Sequence, residues 1–271
     1  MMRSAVTVSL VEEARGGPFV FWHDLPAACR TARALGFDGV DLYPPSGEAV
    51  DVAGLGRLLA EHGLALGAVG TGAGWVRHRL HLVAAEAEVR LRARRFIRKV
   101  IDFAAGFGAP AVIGSMQGRS GDPVDRAAAL GYLAEALEEL GEHAARRGVP
   151  LLYEPVNRYE SNLVNTLAAG AELLDSLATR NVRLLADLFH MNIEEADPAG
   201  ALRAAAGRLG HVHLVDSNRR PAGQGHLDFA ALAQALKDTG YEGFVSAEAL
   251  PYPNPEAAAR GSIEAFRRWF R

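Results

Sequence analysis

Eight short apolar runs, each followed by a longer stretch of helical period, fill this chain from end to end, and that alternation constrains its fold more than any other feature. Strand-like runs read at Ala5–Val11, Gly39–Leu42, Leu64–Gly70, Ala111–Gly114, Pro150–Glu154, Val182–Asp187, His211–Val215 and Gly243–Glu248. Between them apolar residues recur every three or four positions. Examples are Phe96, Val100, Phe103 and Phe107 in Phe96–Phe107, Leu130, Leu133, Leu137 and Leu140 in Ala127–Arg147, and Phe229, Leu232 and Leu236 in Phe229–Thr239. Punctuation such as Gly36-Phe37-Asp38-Gly39 and Gly148-Val149-Pro150 closes a helix and leads straight into a strand. Strict βα alternation dictates a parallel sheet. Eight units of about 34 residues each favour a closed (β/α)8 TIM barrel over an open sheet. The first βα turn, Leu10-Val11-Glu12-Glu13-Ala14-Arg15-Gly16-Gly17, lacks the G-x-G-x-x-G spacing of an open dinucleotide-binding sheet. With no linker or composition shift, residues 1–271 read as one α/β barrel domain.

The charge balance of 29 basic against 32 acidic residues, net -3, gives no basis for non-specific attraction to nucleic acid or to an anionic membrane. Lys99 and Lys237 are the only lysines, so the other 27 of the 29 basic residues are arginine. Both fall in predicted outer helices, away from the strand ends, which excludes a Schiff base at the barrel mouth. Cys29 stands alone and supports neither an internal disulfide nor a thiolate zinc site. Nothing after Met1-Met2-Arg3-Ser4 has the length of a signal peptide, and no later stretch reaches that of a membrane span. A cytoplasmic protein is expected.

In a barrel the reactive side chains sit at the C-terminal ends of the strands. The last four strands end in Glu154, Asp187, His213 and Glu248, one βα unit apart. Strand alternation puts Glu154 on the face of Leu152, Asp187 on that of Leu185 and Glu248 on that of Ser246, so all four point into the mouth above an apolar layer. Three carboxylates and an imidazole crowded into a dry cleft repel one another unless a cation sits between them. Hard oxygen donors without sulfur suit Mn²⁺, Mg²⁺ or Co²⁺ over structural zinc. His211 lies two residues before His213 on the same face, hence deeper, as a supporting or core histidine.

Three segments carry a family resemblance. They are Glu154-Pro155-Val156-Asn157-Arg158-Tyr159-Glu160, Asp187-Leu188-Phe189-His190-Met191-Asn192-Ile193-Glu194-Glu195 and His211-Val212-His213-Leu214-Val215-Asp216-Ser217-Asn218-Arg219. They resemble the ketose 3-epimerases of the xylose isomerase-like TIM-barrel superfamily, of the D-tagatose 3-epimerase and 5-keto-L-gluconate epimerase type. The resemblance spans residues 150–250 and touches Ala68-Val69-Gly70-Thr71-Gly72. It implies that Glu154, Asp187, His213 and Glu248 hold one divalent metal ion, and that Glu154 and Glu248 double as an acid/base pair. It also implies that Glu160, His190 and Arg219 bind a small ketose or keto-acid, and that the protein is a homodimer or homotetramer. An enediolate formed by proton removal next to the carbonyl, offset by the cation, is the matching chemistry.

An aldose-ketose isomerase such as a hydroxypyruvate isomerase needs the same parts. A lyase acting on cyclic ketones and a metal-free binding scaffold are more distant alternatives. A nuclease resembling endonuclease IV shares the Asp187-x-x-His190 spacing but needs further histidines where this chain has Gly70-Thr71-Gly72 and Gly114-Ser115-Met116, and the net charge disfavours DNA. The glycines of Gly70–Gly74 read as a βα turn. Trp75 reads as a packing or sugar-capping residue and Arg119 as solvated. His226 lies in a loop of family type without an assigned role. The five arginines of Arg90–Arg98 read as the exposed face of a helix.

Overall fold

The computed structural model describes residues 1–271. Eight parallel strands follow one another around a closed barrel: β1 (Arg3–Ser9), β2 (Gly39–Tyr43), β3 (Ala65–Gly70), β4 (Ala111–Ile113), β5 (Leu151–Tyr153), β6 (Val182–Asp187), β7 (Leu209–Leu214) and β8 (Phe244–Ala247). Each pairs with its sequence neighbour, and the ring closes where Arg3 to Val6 of β1 pair with Phe244 to Ala247 of β8. That closure draws the first strand towards the N-terminus of the apolar run Ala5–Val11. A two-residue strand, Phe21–Trp22, adds to the top of β1.

Eight outer helices complete the units: α1 (Leu25–Leu35), α2 (Val52–His62), α3 (Ala87–Ala105), α4 (Arg126–Arg146), α5 (Leu167–Ser176), α6 (Pro198–Ala204), α7 (Phe229–Asp238) and α8 (Pro255–Trp269). Their starts are chemically marked. An Asp, Thr or Asn side chain accepts the first free amide at every one except α3, which follows Glu86 without such a cap. Gly36 ends α1 in the left-handed region, at φ 86°, and returns the chain to β2.

Helix α3 starts well before Phe96, and its arginines are not simply an exposed face. Arg92 and Arg95 face solvent, whereas Arg94 reaches Glu135 at 2.9 Å and Glu139 at 3.4 Å on α4, and Arg90 lies 3.9 Å over the Tyr132 ring. These contacts align two neighbouring helices that bury Ile97, Val100, Leu133 and Leu137 between themselves and the sheet.

The barrel interior is divided. Ala68, Val112, Leu152 and Leu185, from β3 to β6, form an apolar cluster separate from the main core between sheet and helices. The expected apolar layer is therefore only half complete. Opposite it, Thr7, Asp41, His211 and Ser246 are buried at 1 % exposure or less. His211 Nε2 meets Asp41 Oδ2 at 2.7 Å, a contact that joins β7 to β2 inside the polar half of the interior. His211 is thus a buried, paired histidine below the mouth.

Candidate active site and metal centre

The ends of β5 to β8 converge as strand alternation requires. Glu154, Asp187, His213 and Glu248 are all buried, and one ligand atom from each lies within 4.8 Å of the others. His213 Nδ1 is the hub, 3.0 Å from Glu248 Oε2, 3.3 Å from Asp187 Oδ2 and 3.6 Å from Glu154 Oε1.

The electrostatics follow from this crowding. Burial opposes charge on His213, but Glu248, Asp187 and Glu154 outweigh it and hold the imidazole well above its usual pKa. Burial, reinforced by Glu248, lifts the Glu154 carboxyl against the pull of His213 and His190. Asp187 moves the other way. Burial alone would raise it, yet His190, His213 and Arg219 hold it well below the usual carboxylate range. Its Oδ1 also accepts the amide N–H groups of Phe189 and His190 at 2.8 and 2.9 Å, capping the short helix Leu188–Glu194. Three carboxylates share one imidazole in a buried place, with donor atoms spaced for a single ion. Hard oxygens with one nitrogen fit a divalent cation, and these four residues could hold one.

The three residues assigned to substrate line a cleft of ≈ 330 Å³ together with Glu154 and Glu248. His190 Nδ1 faces the backbone N–H of Asn157 at 3.3 Å and its side-chain amide at 2.7 Å. The backbone N–H can only donate, so Nδ1 accepts and the ring proton sits on Nε2, which points towards Glu154 Oε1 at 3.9 Å. Arg219 donates from Nη1 to Glu160 Oε1 at 3.0 Å and stacks 4.6 Å over Phe189. Its backbone is left-handed, φ 62°, in a loop that Asp216 organises. The buried Asp216 carboxylate accepts N–H groups of Ser217, Gly223 and Leu227 at 2.7, 2.8 and 3.2 Å.

Two polar residues of this region escaped the sequence reading. Tyr43 lines the cleft and donates to Glu248 Oε1 at 2.5 Å, and burial pushes its phenol well above the ordinary range. Asp41 pairs with His211 below. The signal was there: β2 runs one residue past Leu42, and alternation then turns Asp41 and Tyr43 inward together. Among the weaker features, Thr71 Oγ1 donates to the Val112 carbonyl at 2.7 Å beside a turn at Gly72, but the rest of the expected turn is a short helix, Ala73–His78. His226 is exposed, with Nδ1 3.0 Å from Ser217 Oγ, and takes no place in the cleft.

A closed parallel barrel with a carboxylate and histidine constellation at its C-terminal mouth defines the class. The family model for the xylose isomerase-like TIM barrel matches residues 29–269. An L-ribulose 3-epimerase from Mesorhizobium japonicum is 33% identical over 237 residues, covering 83% of this chain and 75% of that protein. The solved structure of an L-ribulose 3-epimerase superposes with a TM-score of 0.81 at 28% identity, over 99% of this chain and 97% of the other. A 3-keto-D-glucoside 4-epimerase from Escherichia coli superposes with a TM-score of 0.82 at 25% identity, over 99% and 100% of the two chains. The chain belongs to the xylose isomerase-like TIM-barrel family and, within it, to the ketose 3-epimerases. It is an isomerase.

Proposed function

We propose that this protein is a metal-dependent epimerase that inverts C3 of a ketose or keto-sugar acid, with Glu154 and Glu248 as its acid/base pair. The observation that carries the reading is the convergence of Glu154, Asp187, His213 and Glu248 on one point beside a sugar-sized cleft. Glu154, Asp187, His213 and Glu248 would hold a divalent ion, Mn²⁺ in first place with Mg²⁺ or Co²⁺ as alternatives, which would supply Lewis-acid charge beside the substrate carbonyl. The side chains do the rest. Glu154 enters from β5 and Glu248 from β8, so one carboxylate takes the C3 proton and the other returns a proton to the opposite face. The Tyr43 hydroxyl fixes the orientation of the Glu248 carboxylate. His190 donates from Nε2 and Arg219 from its guanidinium to substrate oxygens, while Glu160 accepts from a terminal hydroxyl.

The relatives act on L-ribulose and on a 3-keto-D-glucoside, which makes free ketoses and keto-sugars the class to test. The whole chain acts as one barrel domain in a homodimer or homotetramer, in the cytoplasm and without nucleic acid. No helix is long and apolar enough to cross a membrane. The test is incubation with Mn²⁺ and a panel of ketoses, keto-acids and sugar phosphates in D₂O. Deuterium uptake at C3 with inversion is the expected result. Uptake at C1 would reassign the protein as an aldose-ketose isomerase, and no exchange across the panel would overturn both readings.

A further inference from the structure

We infer that a second chamber opening off the catalytic cleft holds a second sugar ring, so that the preferred substrate is a ketose carrying another sugar on a terminal hydroxyl. The inference rests on the epimerase reading above and deepens it. The outer chamber, ≈ 560 Å³, is larger than the ≈ 330 Å³ cleft, and the two share Val76, Ser115 and Glu160, which form the neck between them. Small-ligand pockets span about 300–1,000 Å³, so the cleft alone sits at the bottom of that range and the two spaces together near its top.

The walls of the outer chamber suit a sugar. Trp75 is held edge-on against His81, with ring centroids 5.7 Å apart, and the Arg79 guanidinium lies 5.1 Å from its ring. Tyr159 is 77 % exposed, a large aromatic ring that the fold itself leaves unpacked. Arg119 donates from Nη1 to the Tyr159 carbonyl at 2.9 Å and reaches the Arg158 carbonyl at 3.4 Å, which ties the loop after β4 to the loop after β5. A pyranose presents apolar C–H faces edged by hydroxyls. Aromatic faces beside a forked cation match both parts of it. Glu160, at the neck, meets the terminal hydroxyl of a ketose bound in the cleft, and a glycosidic bond there leads outward into the chamber.

The test is calorimetric titration of the Mn²⁺-loaded protein with D-fructose, trehalulose and isomaltulose, alongside deuterium exchange at C3 for each. The two disaccharides carry glucose on one or the other terminal hydroxyl of fructose. At least one should bind about tenfold tighter than fructose. The Trp75→Ala/Tyr159→Ala double variant should bring that ratio close to one, and Tyr159→Ala alone, at so exposed a site, keeps the test clear of misfolding. Fructose binding as tightly as both disaccharides, or a preference that survives the variants, would overturn the inference. Binding decides the chamber whether or not a sugar turns over. A preference without exchange from any of the three would count against the epimerase reading alone.

Discussion

The two halves of the barrel mouth are built from opposite materials. Strands β5 to β8 end in Glu154, Asp187, His213 and Glu248, all charged or titratable and all buried. Strand β3 ends in Gly70, and β4 leads directly into Gly114. A Cβ on Gly114 would stand 2.3 Å from Glu154 Oε2, and one on Gly70 would stand 2.2 Å from the Tyr43 ring. The glycines are therefore clearance. One half gathers the titratable side chains, and the other leaves the volume in which they and the cleft fit.

The sharpest test of the charged half is Glu154→Gln and Glu248→Gln. Each swap keeps shape and removes the ability to accept a proton, so kcat should fall by about 10³-fold or more in either variant. The readout is deuterium exchange at C3, with the melting temperature showing that the fold persists. Turnover retained in one variant would reduce the pair to a single base and break the two-face inversion.

Gly114→Ala tests the other half. The added methyl collides with the Glu154 carboxylate, a group both metal-ligating and catalytic in the proposed mechanism, and pushes it off position. Misplacement of about 1 Å can cost about 10²-fold, so kcat/KM should fall by about that factor, together with weaker Mn²⁺ binding by calorimetry. A variant with full activity would show that the glycine is needed only for its turn.

The asymmetry of the two halves also explains what could be read without coordinates. The eight strands and the cluster at the ends of the last four were legible because strand period, glycine punctuation and unit length repeat, and because Glu154, Asp187, His213 and Glu248 occupy the same place in successive units. The polar half of the interior was not. Asp41 and His211 meet inside the barrel from positions 170 residues apart, and no local pattern pairs them. The role of Gly114 was hidden for a related reason, because a residue chosen for the space it leaves shows only when its neighbour Glu154 is in place. The arginines of α3 carried a periodic signal, but their partners lie on α4, so a solvated face was the simplest reading.

A smaller effect is expected at Asp216, which organises the loop that carries Arg219. Burial raises its pKa, but N–H groups from Ser217, Gly225, Leu227 and Gly223 outweigh this and hold it below the usual range. A depressed folded-state pKa contributes stability above the unfolded value, about 3.9, and that stability is lost as pH falls through the lower folded value. Asp216→Ala should therefore destabilise the protein by about 2–3 kcal/mol at neutral pH, with the difference from the parent narrowing below about pH 4. The loosened loop should raise KM more than it lowers kcat, since in the proposed mechanism Arg219 binds substrate and does not transfer protons. Denaturant titration at pH 7 and pH 3.5, with steady-state kinetics, separates the two effects.

The smallest of these effects bears most directly on the division between halves. Tyr43, from β2, belongs to the half that supplies space, yet its hydroxyl is 2.5 Å from Glu248 Oε1. If it only aims that carboxylate, Tyr43→Phe removes one hydrogen bond to a group that His213 still holds at its other oxygen, Oε2. The cost should be about 1–2 kcal/mol, or about fivefold to thirtyfold in kcat, with KM and Mn²⁺ affinity little moved. If Tyr43 instead takes part in proton transfer, the loss should approach that of Glu248→Gln. Measuring kcat for the two variants on the same ketose therefore decides whether the chemistry is confined to β5–β8, because an orienting hydroxyl and a proton-transferring one predict losses that differ by an order of magnitude or more.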